Sequence, residues 1–327
     1  MARRGRRLLL KGAAASLLLG LSGLVVGPRG ARAKDTLRVV ATTSMIADAV
    51  RQVGGDWVEV QALMGPGVDP HLYRQTSSDI AAMSRADLVL WHGLRLEAQL
   101  ASFLERLASR VPVFPLAELV PKAKLISDPN YPGQYDPHVW MDPSLWKYIV
   151  GGARDTIFEL RPEAKADLDA NTQRHLAEID ALEAYARTGL ATVPEQARVL
   201  VTAHDAFHYF GRAHGYEVLG VQGISTESEA GLKQIEHLVD VLVSRKIGAI
   251  FVETSVSDRN VKALIEGAAA RGHTVTIGGT LFSDAMGKPG TYEGTYIGMI
   301  DHNVTTIIRA LGGEAPERGL NDKLTGL

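Results

Sequence analysis

Two histidines follow the same rigid dipeptide: Asp69-Pro70-His71 within GVDPHLYRQ (67–75) and Asp136-Pro137-His138 within YDPHVWMDP (135–143). Proline fixes its own φ and biases the residue before it towards extended backbone, so each Asp-Pro limits where the next imidazole can point. Each aspartate could also accept a hydrogen bond from a ring nitrogen or a nearby amide, as carboxylates behind metal-bound histidines do. A third histidine, His204, directly follows the apolar run ARVLVT (197–202), and Asp284 sits in the glycine-flanked stretch GGTLFSDAMG (278–287). Three imidazoles and one carboxylate would make a closed site for a divalent transition metal.

Other readings of these residues stand beside that one. Asp-Pro is a common turn opener, which would leave His71 and His138 as exposed loop residues, and a lone aspartate such as Asp284 ordinarily serves a turn or a helix cap. His204-Asp205-Ala206-Phe207-His208 is a near miss to H-E-x-x-H, with Asp for Glu, and would suggest a zinc metallohydrolase with His204 and His208 as paired helical ligands. That alternative asks the shorter aspartate to act as general base and leaves both Asp-Pro-His segments unexplained. His208 and His214 read otherwise as packing or surface residues. Glu227, Glu229 and Glu253 fall near predicted strand ends, and the sequence does not rank them above solvated carboxylates.

The elements that must position these residues alternate. LRVVATT is followed by the helical SMIADAVRQVGG, then WVEVQALMG, SSDIAAMSR, the buried run DLVLWHG and a helix near 96–107. Strand then helix, repeated, implies a parallel sheet covered on both faces, and ligands of such folds collect outside the carboxyl ends of the strands. After position 143 the pattern stays helical. In RPEAKADLDANTQRHLAEIDALEAYARTGLAT, Pro162 suits a first helical turn, Leu168, Leu176, Ile179, Leu182 and Ala186 recur near helical spacing, and Gly189 suits the C-terminal cap. From ARVLVT the alternation resumes, through YEVLGV, a helix near 231–245, GAIFVE, a helix near 258–271, HTVTIGG and a last helix near 294–311. The expected fold class is therefore α/β in two lobes, each a mostly parallel sheet flanked by helices, joined by one long rigid helix. The boundaries expected are 34–160 for the first lobe, 161–190 for the linking helix and 191–327 for the second.

The first residues differ in kind. MARRGRRLLLKGAAASLLLGLSGLVVGPRGARAKDTL sets four arginines before an apolar stretch at 13–26, then offers Ala31-Arg32-Ala33, which reads as a secretory signal peptide over 1–33 removed before Lys34. Arg6-Arg7-Leu8-Leu9-Leu10 is similar to a twin-arginine export signal, with Gly5 where Ser or Thr is usual. An apolar core of about 14 residues is short for a membrane span. Removing the leader takes away Arg3, Arg4, Arg6, Arg7, Lys11, Arg29 and Arg32, leaving 28 basic against 37 acidic residues, a formal charge of −9. Such a surface argues against nucleic acid as a partner. The chain holds no cysteine, which excludes disulfides, thiolate ligands and a lipid-modified cysteine. Export without that lipid points to a soluble protein of the periplasm, expected to act as a monomer.

Taken together, GPGVDPHLYRQTSSDIAAMSRADLVLWHGLRLE, DPHVWMDP, HDAFHYFGRAHGYEVLGVQGISTESEAG, IFVETSVSD and LFSDAMG resemble the zinc- and manganese-binding solute-binding proteins of ABC transporters, the cluster 9 or TroA-like group. The resemblance covers nearly all of the chain after the leader, in order. It implies a metal held in the cleft by two residues from each lobe, His71 and His138 from the first and His204 and Asp284 from the second, and delivery of that metal to a membrane permease. Three departures mark this chain: His92 stands where relatives often carry Asn, placing a fifth histidine near the cleft; STESEAGLKQI lacks the usual proline; and the stretch 121–136 holds no histidine-rich loop. Three neutral imidazoles with one carboxylate suit Zn2+, whereas Mn2+ favours oxygen-rich sites, and manganese-binding relatives are expected to carry a carboxylate where His204 stands. Zinc is thus the expected metal and manganese the alternative.

Overall fold

The computed structural model describes residues 36–128 and 131–325; the leader read at 1–33 lies outside the described residues. The first lobe opens with β1 (Leu37–Ala41), α1 (Ser44–Gly54), β2 (Val58–Ala62), α2 (Ser77–Arg85), β3 (Leu88–Trp91), α3 (Ala98–Leu107) and β4 (Val113–Pro115). The four strands form one parallel sheet in the order β2-β1-β3-β4. Because β1 is followed outward on one side by β2 and on the other by β3, its carboxyl end is a point where loops diverge and leave a crevice.

Local chemistry starts the helices where the sequence says it should. The Thr43 side chain accepts from the Ile46 amide at the head of α1, and Thr76 and Asp79 form a reciprocal capping box on α2. Asp142 caps α4 (Pro143–Leu160), whose first residue is a proline that has no amide to satisfy.

The long helix, α5 (Lys165–Leu190), buries Leu168, Thr172, His175, Ile179, Leu182, Ala186 and Leu190, a seam at spacings of three and four. Its 26 residues extend about 39 Å. The second lobe follows as β5 (Val199–Thr202), α6 (His208–His214), β6 (Glu217–Gly220), α7 (Leu232–Ser244), β7 (Ala249–Glu253), α8 (Arg259–Ala270), β8 (Thr276–Leu281) and α9 (Tyr296–Ala310). The α5 seam packs on α1 and α4 of the first lobe and on α9 of the second, so one helix is a wall of both cores. Tyr185 and Thr305 tie α5 to α9 through their hydroxyls at 2.7 Å, and Asn171 donates to the Val53 carbonyl at the end of α1 at 3.0 Å. No described helix is long and apolar enough to cross a membrane.

Three details differ from the sequence reading. Pro162 opens a separate 3-10 turn, Pro162–Ala164, before α5 begins. Gly189 lies inside α5, which runs on to Leu190 and is capped by Ala191, and the reason is packing: a Cβ there would come within 2.6 Å of the Ile308 side chain on α9. A missing side chain at a helix crossing looks the same in sequence as a helix stop. The second lobe also divides its strands into two parallel pairs, β5-β6 and β7-β8, with β5 lying against β7.

A helix shared by two cores, with no proline within it, resists bending. Crystal structures of the metal-free and metal-loaded protein should therefore differ by loop adjustments and a small relative rotation of the lobes. A swing of tens of degrees would contradict a rigid α5.

Candidate metal centre

Each candidate ligand sits on a loop at the cleft. His71 lies between β2 and α2, His138 just before the 3-10 turn Val139–Met141 that leads into α4, His204 between β5 and α6, and Asp284 beyond β8. The two Asp-Pro-His segments adopt the same local geometry. Proline has no amide to offer, so each aspartate turns back on the next one: Asp69 Oδ1 accepts the His71 N–H at 2.8 Å and Asp136 Oδ1 accepts the His138 N–H at 2.9 Å. Asp136 Oδ1 also takes the Nδ1 side of the His138 ring at 2.7 Å, which leaves Nε2 as the free lone pair.

His204 is held by Glu253, the last residue of β7. The carboxylate accepts the His204 N–H at 2.9 Å and faces its Nδ1 at 2.5 Å. Sequence reading left Glu253 unranked. An acid closing an otherwise apolar buried strand was the one hint available, but only the packing of β5 against β7 shows which ring it orients. Trp140, two residues after His138, donates its indole N–H across the cleft to the Ser283 carbonyl at 2.8 Å and so fixes the backbone beside Asp284.

These restraints bring all four candidates together. One donor atom from each of His71, His138, His204 and Asp284 lies within 4.8 Å of every other, and all four residues are buried. His138 Nε2 is 3.3 Å from both His71 Nε2 and His204 Nε2, and the Asp284 oxygens are 3.5 Å from His138 Nε2 and 3.3 Å from His204 Nε2. A tetrahedral ion with bonds of about 2.0–2.1 Å sets its donors about 3.3–3.4 Å apart. The four separations just given lie close to that spacing, and the two remaining pairs, from His71 to His204 and to Asp284, lie within 4.8 Å. Outside these ring contacts neither Asp284 oxygen has a hydrogen-bond partner among the described residues, although the side chain is fully buried. A carboxylate so placed calls for a cation.

The electrostatics differ from one donor to the next. Burial lowers the pKa of His71 to about 3, so its ring is neutral at physiological pH. Burial acts the same way on His204, but the Asp284 and Glu253 carboxylates outweigh it and raise that pKa well above the ordinary value. Burial alone would raise the Asp284 pKa; His204 and then His138 reverse this and hold the carboxyl ionised.

The remaining residues have other positions. His92 is buried beneath the second Asp-Pro-His segment, with Nε2 at 2.7 Å from the Pro137 carbonyl and its ring edge-on to Trp140. It supports that loop from outside the cluster. His204 and His208 do not share a helix, because α6 begins at His208, so the paired helical ligands of an H-D-x-x-H hydrolase do not form. The His208 ring lies between Asp136 and Asp205, at 3.2 and 3.0 Å, and the hydrogen bond to Asp136 raises its pKa. The His214 ring packs at a tilt against Phe210, with centroids 4.9 Å apart. Glu227 accepts from Gln99 across the cleft at 2.7 Å and Glu229 from Asn260 at 3.2 Å. Glu227, Glu229, Arg95 and Asp205 line a cavity of about 570 Å³ that reaches the cluster at His71.

Known proteins share this arrangement of chain. Residues 39–310 match the family model described as the zinc-uptake complex component A, periplasmic. The manganese-binding lipoprotein MntA of Bacillus subtilis is 45% identical over 292 residues, 89% of this chain and 95% of that protein. The zinc-binding protein TroA of Treponema pallidum is 44% identical over 285 residues, 87% of this chain and 92% of that one. The solved structure of the periplasmic zinc-binding protein TroA from the same organism superposes with a TM-score of 0.82, covering 84% of this chain and 99% of the other.

The protonation pattern has a measurable consequence. The raised pKa of His204 favours its protonated form, so a metal would have to displace that proton, whereas the low pKa of His71 leaves little such competition there. Loading a divalent transition metal should release about one proton per chain from His204, and apparent affinity should rise about tenfold per pH unit towards the raised His204 pKa. Isothermal titration in buffers of different protonation enthalpy measures both. An affinity independent of pH between about 6 and 8 would contradict it.

Proposed function

The chain belongs to the periplasmic zinc-uptake component A family, and from that membership we propose that it is an exported binding protein that captures a divalent transition metal in the periplasm and delivers it to the membrane permease of an ABC transporter. The observation that carries the reading is the buried Asp284 carboxylate, without other hydrogen-bond partners among the described residues and set close to tetrahedral spacing from two of the three imidazoles of His71, His138 and His204. The ligand set proposed is those four residues, two from the lobe spanning 34–160 and two from the lobe spanning 191–327, with the helix at 161–190 between them. Export rests on the signal sequence at 1–33, with cleavage before Lys34.

Four protein donors close the coordination shell, and a hydrolytic metal site keeps one position for water. A binding and delivery role suits a closed shell, since the cargo needs only to be held and later released. Zinc is the preferred cargo in this reading. Relatives named for manganese and for zinc match at 45% and 44% identity, so their names do not choose between the metals. The donor types support zinc: three nitrogens and one oxygen suit it, while manganese favours six oxygen-rich positions, and the general affinity order places zinc above manganese.

Competition between equal zinc and manganese on the chelator-stripped protein tests this directly. One zinc per chain is expected, displacing manganese, with binding lost in the double variant His71→Ala/His138→Ala. Tighter manganese binding would overturn the metal preference. Unchanged zinc binding in the double variant would overturn the site.

A further inference from the structure

The two Asp-Pro-His carboxylates face in two directions, and both do so in the same way. Asp69 gives Oδ1 to the His71 amide and Oδ2 to the Thr226 hydroxyl, which donates to it at 2.5 Å. Asp136 gives Oδ1 to the His138 amide and ring, and Oδ2 to His208 Nδ1 at 3.2 Å. Thr226 lies on the connection from β6 to α7, and His208 is the first residue of α6. Both partners therefore come from the second lobe, while both aspartates and both oriented histidines come from the first. On its far side His208 Nε2 meets Asp205 Oδ1 at 3.0 Å, so a continuous line of polar contacts runs His138–Asp136–His208–Asp205 across the cleft and ends beside His204.

We propose that Thr226 and His208 are positioning residues that clasp the two Asp-Pro-His carboxylates across the cleft, so that closing the lobes and aiming His71 and His138 at the metal become one event. The proposal rests on the metal-capture reading and adds to it a determinant of how long the metal is held. A ligand shell drawn from both lobes can release its ion only when the lobes part. Whatever favours the closed arrangement slows that parting, because a contact made only in the closed state acts on the closed population alone. Each clasp is a hydrogen bond to a carboxylate, buried for Asp136 and half-buried for Asp69, the class with the greatest net worth among protein hydrogen bonds. Entry precedes closure, so the association rate is left to encounter and electrostatics.

The test uses the mature full-length chain loaded with zinc, chased with excess chelator, and loaded with cobalt for its visible absorption bands. Thr226→Val and His208→Leu should each speed zinc release about 10- to 100-fold, with the association rate within about twofold and the cobalt bands unchanged, since all four ligands remain. Thr226→Ser keeps the hydroxyl, and His208→Asn keeps a donor near the Nδ1 position. Both should return release towards the wild-type rate. Release at the wild-type rate in Thr226→Val and His208→Leu would overturn the proposal, as would a Thr226→Ser variant no better than Thr226→Val. Altered cobalt bands with slowed association would also overturn it, because the residues would then be shaping the fold. If the wild-type chain took up no metal, the capture reading itself would fall; wild-type uptake with unaltered release in the variants sinks only the clasp.

Discussion

A buried carboxylate, Asp284, set against the imidazoles of His138 and His204 is the constraint on which this molecule is organised. Asp284 is 2% exposed, and removing an ionised carboxyl from water costs several kcal/mol unless a positive charge replaces the lost hydration. The raised pKa of His204 favours a proton that would supply part of that charge. In the proposed reading a divalent ion among the four donors would supply more and displace that proton, so binding would be an exchange of one cation for another.

Holding four donors within 4.8 Å of one another requires restraint from several directions. Asp69 and Asp136 fix the two histidines of the first lobe, Glu253 fixes His204, and Trp140 reaches over the cleft to fix the backbone before Asp284. Behind them, α5 forms part of both cores, so the lobes cannot drift apart as independent bodies. Local hydrogen bonds aim each ring. The long helix limits how far the two pairs of ligands can separate, to a small rotation of one lobe against the other. Motion is then left to the loops at the cleft mouth, where Gln99–Glu227 and Thr226–Asp69 join the lobes through side chains that can part.

Much of this was legible in sequence because the signals were local and repeated. Alternating β-branched runs and amphipathic stretches gave the order of strands and helices, and the second Asp-Pro-His drew attention to the first. The four residues that sequence singled out are those the structure brings together. What escaped was non-local. Glu253 looks like any acid at a strand end until β7 lies beside β5, and His208 looks like a helical partner of His204 until the turn after β5 separates them. Gly189 resembles a helix stop because a missing side chain at a helix crossing and a missing side chain at a cap are the same letter. His92 lies near the cleft in the fold as expected, but its ring supports the Pro137 carbonyl from below, a direction no spacing rule encodes.

The central claim is that one metal ion sits among His71, His138, His204 and Asp284. A crystal structure of the zinc-loaded mature chain, with anomalous data collected on both sides of the zinc absorption edge, tests it most directly. The account predicts a single edge-dependent peak bonded to Nε2 of all three histidines and to an Asp284 oxygen, with metal–nitrogen distances of about 2.0–2.1 Å. A peak bonded instead to His208 and Asp205, or an empty cluster with zinc bound elsewhere, would contradict it.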